Sequence, residues 1–199
     1  MIVLQAAGMP GWDRTLFLWI NLDAQSSGAW VALALFATQW LPFLALAVLL
    51  PVALRTAPGR RSLLALACAV GLAWWAASLL KHGVTAPRPF MLGLGTDWLK
   101  HAHGNGFPSS HASVAAAFAA TALLSPWPRP LRWALAPAGA LVCWSRIALG
   151  VHFPSDVAAA VLLGSLCALL SQIATRQLAA AWHHRTLARS LAAPIGPPS

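Results

Sequence analysis

Residues 62–81 read SLLALACAVGLAWWAASLLK, nineteen residues without a charge that end on Lys81. A bilayer core of about 30 Å takes roughly 20 apolar residues as a helix. Alanine and leucine favour helix, and nothing in this run offers water a polar face. Four more runs in the chain qualify or nearly qualify, at about 29–50, 110–124, 131–149 and 154–173. The run at 110–124 is short and is expected to borrow residues ahead of Ser110 or to tilt little. Small residues at Ala136, Ala138, Gly139 and Ala140 should let helix backbones approach closely. Pro42 and Pro137 fall inside runs, where neighbouring helices can absorb a kink. The fold expected is all-α, a polytopic membrane helix bundle of about five transmembrane helices.

Composition agrees with that reading and excludes its rivals. Of 199 residues, 59% are apolar and 9% charged, with a mean hydropathy of +0.68. A soluble domain carries roughly 25% charged residues. Disorder is excluded by the amount of apolar surface. The three cysteines, Cys68, Cys143 and Cys167, sit in apolar runs and make no disulfide scaffold. There is no glutamate, and the four acids Asp13, Asp23, Asp97 and Asp156 are scattered. They build no two-metal carboxylate site, so neither a metal nor another cofactor is expected. The net charge of +9 comes from basic residues in short loops between apolar runs, not from one basic face. Nucleic acid is therefore not an expected partner.

The chain divides into an N-terminal interfacial segment (1–28), a transmembrane domain (29–173) and a C-terminal tail (174–199). The first segment lacks the basic start, apolar stretch and cleavage site of a secretory leader. Its stretch TLFLWINL at 15–22 is too short to span. It reads as an interfacial helix or a re-entrant piece, with a sixth span left open. With five spans, eight basic residues (Arg55, Arg60, Arg61, Arg129, Arg132, Arg176, Arg185, Arg189) share one side. Five (Arg14, Lys81, Arg88, Lys100, Arg146) share the other. The positive-inside rule puts the eight, and the tail, in the cytoplasm.

Three polar clusters interrupt the apolar runs, all on the expected outward side. The first is KHGVTAPRP, from Lys81 to Pro89. Alone it reads as a snorkelling lysine and a loop arginine. The second is FPSSH, from Phe107 to His111, at the start of the third run. Proline suits a first helical turn, and free N–H groups with serine hydroxyls make an anion site. A serine-capped helix start with a stray histidine is the plainer reading. The third is SRIALGVHFPSD, from Ser145 to Asp156. With a helix beginning near Pro154, Asp156 can accept a hydrogen bond from His152, which fixes the imidazole tautomer. A structural ion pair is the alternative. Together the clusters favour chemistry over accident. Two guanidinium groups clamp phosphate oxygens and a lysine adds charge. Helix-start N–H groups and hydroxyls donate to the same oxygens, one histidine attacks, and the other protonates the leaving oxygen.

Lys-x6-Arg-Pro, Pro-Ser-x-His and Ser-Arg-x5-His-x3-Asp, in this order, resemble the three signature motifs of the type 2 phosphatidic acid phosphatase superfamily. The resemblance implies a membrane bundle that works without metal. It implies that His152 is the nucleophile forming a phosphohistidine, that Asp156 orients it, and that His111 is the general acid. Lys81, Arg88, Ser109, Ser110 and Arg146 would hold the phosphate. The sequence departs from the family in having Ser110 where glycine is usual. A backbone N–H contact survives that change, and a hydroxyl is gained.

Within the superfamily, PRPFMLGLG at 87–95, LKHAH at 99–103 and FPS at 107–109 are similar to bacterial undecaprenyl-diphosphate phosphatases. The implied partners are a long-chain lipid (di)phosphate and the bilayer of a bacterial inner membrane, with the reactive face outward. Implied alternatives are a phosphatase or phosphotransferase acting on phosphatidylglycerophosphate, phosphatidate or lipid A, and a non-catalytic phospholipid-binding or transport protein. The nucleophile–acid pair argues against the last, since binding needs only cations. Oligomeric state is not legible.

His101 and His103 are expected in a solvated loop, and His183 and His184 beside Trp182 at the membrane surface. Trp98, Trp127 and Trp144 suit interfacial belts, whereas Trp74 and Trp75 are expected to pack inside.

Overall fold

The computed structural model describes residues 2–3, 10–100 and 103–192. His101 lies outside the described residues. Seven helices follow in chain order: α1 Gly11–Ile20, α2 Gly28–Gln39, α3 Leu41–Leu54, α4 Ala57–Gly83, α5 Ser110–Leu124, α6 Arg129–Ala148 and α7 Pro154–Ala192. Strands β1 Ile2–Val3 and β2 Val84–Thr85 form one two-residue parallel pair. The architecture is the all-α membrane bundle that the apolar runs implied. α4 and α7 are each long and apolar enough to cross a bilayer, and α2 with α3 qualifies as one broken span. α5 has 15 apolar residues, and α6 has 20 with Arg129, Arg132 and Arg146 among them.

The run at 29–50 is not one helix. It breaks at Trp40 with a bend of 50° between α2 and α3. Pro42 lies in the first turn of α3, and a proline ring clashes with the carbonyl four residues back, here that of Thr38. Pro51 and Pro137 are carried inside α3 and α6. At the other end of the chain, α7 does not stop at residue 173 but continues to Ala192. After Pro154 the next proline is Pro194, and the residues between are mostly helix formers.

α5 is the inner helix and packs against α4, α6 and α7. Two glycines make this approach possible. A Cβ at Gly164 of α7 would stand 2.2 Å from the Ser113 carbonyl oxygen of α5. One at Gly139 of α6 would stand 2.7 Å from the Ala119 Cβ. Along the bundle axis the core is mostly alanine, with Ala69, Ala73, Ala117 and Ala168 packed around Cys167.

The tryptophans depart from expectation. Trp74 and Trp75 are 60% and 57% exposed, so α4 does not pack them inside the bundle. Trp127 is buried against Leu49, Leu66 and Leu135, not held in an interfacial belt.

α1 lies against α6 and α7 and keeps Trp12 and Trp19 exposed. Phe17 is its buried anchor, with its ring 5.3 Å from that of Phe153.

Candidate active site

The end of the bundle where α4 and α6 finish and α5 and α7 begin collects all three polar clusters. Asn105 ties the first to the second. Its Nδ2 donates to the carbonyls of Lys81, at 2.7 Å, and of Val84. Its Oδ1 accepts the N–H groups of Ala86 and Phe107, each at 3.1 Å. Gly106 follows, and a Cβ there would press at 3.3 Å on both the Arg88 Cγ and an Asp156 carboxylate oxygen. The first cluster meets the third where Arg88 Nη1 donates to the Val151 carbonyl at 3.4 Å. The second meets the third where the Ser109 N–H donates to the Asp156 carbonyl at 3.4 Å.

The third cluster turns sharply between α6 and α7. Gly150 adopts φ +81°, and a Cβ there would meet the Thr96 carbonyl oxygen at 2.0 Å. His152 follows and is 2% exposed. Its Nδ1 faces the Asp156 Oδ2 at 3.5 Å. That is longer than the roughly 2.9–3.0 Å of a formed N–H···O bond, so the expected hydrogen bond is a contact instead. The same carboxylate oxygen is engaged by the Phe153 N–H at 2.9 Å, which closes the start of α7. The His152 pKa is pushed well below its ordinary value, first by burial, then by the positive charges of Arg146, Arg88, Lys81 and His111. Burial and the cations of all three clusters thus act on one imidazole in the same direction.

Arg146 is 1% exposed. Its Nη1 donates to the Thr38 hydroxyl at 2.7 Å, while its Nε and Nη2 have no acceptor among the described residues. The buried Nε of Arg88 is likewise without an acceptor. Orphaned buried donors on charged groups are costly. Converging here, they suit an anion.

Ser109 is the N-cap of α5 and accepts from the Ala112 N–H at 3.4 Å. Pro108 therefore lies one residue ahead of the cap, not in the first turn. Ser110 and the exposed His111 open onto an apolar cavity of about 410 Å³. Its walls include Phe43 of α3, Trp74 of α4, Phe118 of α5 and Val142 of α6.

Three supporting residues escaped the sequence reading. Thr38 holds Arg146 from the α2–α3 break. Asn105 joins two clusters. The carboxylate of Asp13 accepts both the N–H and the hydroxyl of Ser155, beside Asp156. Asp13 carried a faint signal as one of only four acids, and Asn105 as the residue before a glycine. Thr38 carried none. Of the loop histidines, His103 stacks edge-on with Phe90 at 6.0 Å between ring centroids.

The sequence profile of the PAP2 superfamily matches residues 62–179, a stretch that contains all three clusters. The chain belongs to the PAP2 superfamily. This PAP2 protein is 32% identical over 165 residues to "Putative undecaprenyl-diphosphatase YbjG" of Escherichia coli (strain K12), covering 81% of each chain. Its fold superposes on the crystal structure of Aquifex aeolicus LpxE with a TM-score of 0.67. That match has 23% identity and spans 86% of this chain and 99% of the other. A PAP2-type phosphatidylglycerolphosphate phosphatase from Bacillus subtilis superposes more loosely, at 0.47, with 20% identity over 85% of this chain and 79% of the other. This PAP2 protein is a membrane lipid phosphatase.

Proposed function

We propose that the protein hydrolyses undecaprenyl diphosphate to undecaprenyl phosphate and inorganic phosphate, by way of a phosphohistidine. The observation that carries the reading is a juxtaposition. A neutral, buried His152 among Arg88, Arg146 and Lys81 stands next to an apolar cavity that begins at His111. A diphosphate fits the cationic end and a prenyl chain the apolar cavity. The name of the Escherichia coli relative, an undecaprenyl-diphosphatase, supports the choice of substrate.

Asp156 faces Nδ1, so Nε2 of His152 attacks the terminal phosphorus. Its bond to the bridging oxygen breaks, and His111 gives that oxygen a proton. Lys81, Arg88, Ser109, Ser110 and Arg146 hold the equatorial oxygens, whose charge rises in the transition state. Water then attacks the phosphorus as His111 takes its proton, the bond from phosphorus to His152 Nε2 breaks, and inorganic phosphate leaves. The protein lies in the cytoplasmic membrane of a bacterium with this end outward and serves cell-wall carrier recycling.

The test is phosphate release from undecaprenyl diphosphate by detergent-purified protein in EDTA, with His152→Ala alongside. Phosphatidylglycerophosphate, phosphatidate and lipid A are run in parallel. Release by wild type and none by the variant is expected. Equal turnover by the variant would sink the mechanism, and faster turnover of another lipid would replace the substrate.

A further inference from the structure

A second cavity, of about 440 Å³, lies at the opposite end of the bundle, between α4, α7 and the turn from α5 to α6. Arg61, Arg176 and His183 line it, with Gln172 and Ser62 on its wall. Gln172 and Ser62 are 4% and 5% exposed, so this is a recess with polar groups set into it. Arg176 is held in place by donating from Nη2 to the Leu124 carbonyl at 2.8 Å. Its side chain is exposed. Pro58, Pro126, Ala179 and Ala180 complete an apolar flank.

Charge at this end is unbalanced. The chain has four acidic side chains. Asp13 and Asp156 lie at the reactive end, Asp97 is in the loop of that end, and Asp23 is between α1 and α2. None accompanies Arg55, Arg60, Arg61, Arg129, Arg132 or Arg176. Arg61 and Arg176 each stand 22 residues from the reactive-end terminus of their helix, about 33 Å along the axis. That distance is close to the hydrocarbon thickness of a bilayer, so helices whose other ends meet one interface carry both guanidinium groups to the opposite one.

We propose that this cavity is a binding site for the phosphate of an anionic phospholipid in the leaflet opposite the reactive end. The Arg61 and Arg176 guanidinium groups donate to the phosphate oxygens, and the acyl chains run down the apolar flank. The site is separate from the one that holds the substrate and does not depend on which lipid is hydrolysed.

The probe is phosphatidylglycerol in nanodiscs, mixed with phosphatidylcholine. Lipid retained by the full chain after transfer to mild detergent is counted by native mass spectrometry. Wild type is expected to keep phosphatidylglycerol over phosphatidylcholine, and R61Q/R176Q to lose it by about thirtyfold. R55Q/R129Q removes the same charge outside the cavity and is expected to keep it. Ala180→Trp fills the cavity from an exposed position without altering charge, and it is expected to lose the lipid even if the arginine pair proves unstable. Equal retention by wild type and Ala180→Trp overturns the proposal, as does equal loss in R55Q/R129Q. Displacement by glycerophosphate as readily as by phosphatidylglycerol would replace the lipid with a soluble phosphate.

Discussion

The Asp13 carboxylate accepts two hydrogen bonds from Ser155, from its N–H at 2.9 Å and from its hydroxyl at 2.5 Å. The residues are 142 positions apart, yet the pair fastens α1 to the first turn of α7. That turn also carries Asp156 and directly follows His152. A carboxylate at a helix N-terminus satisfies amide donors that would otherwise be orphaned and favours the helix dipole. α1 is thereby part of the scaffold of the site, not only a surface anchor.

Asp13→Asn turns one acceptor into a donor facing the Ser155 hydroxyl. Stability is expected to fall by roughly 1–2 kcal/mol. The catalytic constant should fall about tenfold with little change in KM, because position and not binding is lost. Steady-state kinetics with a melting curve in detergent check this, and an unchanged catalytic constant would reduce Asp13 to an anchor.

Asn105→Ala orphans two carbonyls and two N–H groups between the first two clusters. Arg88 and Ser109 then lose their shared reference point. Turnover is expected to drop about a hundredfold, near the cost of a lost oxyanion donor. Asn105→Asp restores only the acceptor half and should recover part of the rate. Equal rates for both variants would show that the Nδ2 donors carry the effect.

Gly164→Val would drive a side chain into the Ser113 carbonyl of α5, where even a Cβ stands at 2.2 Å. Overpacking of this kind costs about 1–3 kcal/mol. A lower melting temperature is expected, with loss of activity in step. An unshifted melt would mean that α5 and α7 separate without penalty.

With His152 as the proposed nucleophile, its protonation sets the acid side of the pH profile. Its depressed pKa keeps it neutral as pH falls through the ordinary value of 6.5. The acid limb of kcat/KM is therefore expected well below that pH. Arg146→Gln removes one of the lowering charges, so the residual activity should show the limb shifted upward. A wild-type limb at 6.5 would contradict the burial of the imidazole.

Much of this protein is legible along the chain. Nineteen uncharged residues ahead of Lys81 demand a membrane helix wherever they sit, because an apolar run that long has no other stable place. The spacing of Lys81, Arg88, Ser109, His111, Arg146, His152 and Asp156 is likewise local, and it points to phosphate chemistry before any contact is known. What the chain alone leaves open is pairing across distance. The break at Trp40 depends on Pro42 being free to leave one helix axis for another, and it sets Thr38 against Arg146, 108 positions away. Trp74 and Trp75 look equally apolar whether they face lipid or core, so only packing assigns them. Asp13, Asn105 and Gly164 matter through what they touch. A hydrogen bond or a close approach between distant segments leaves no periodic trace in the residues that make it.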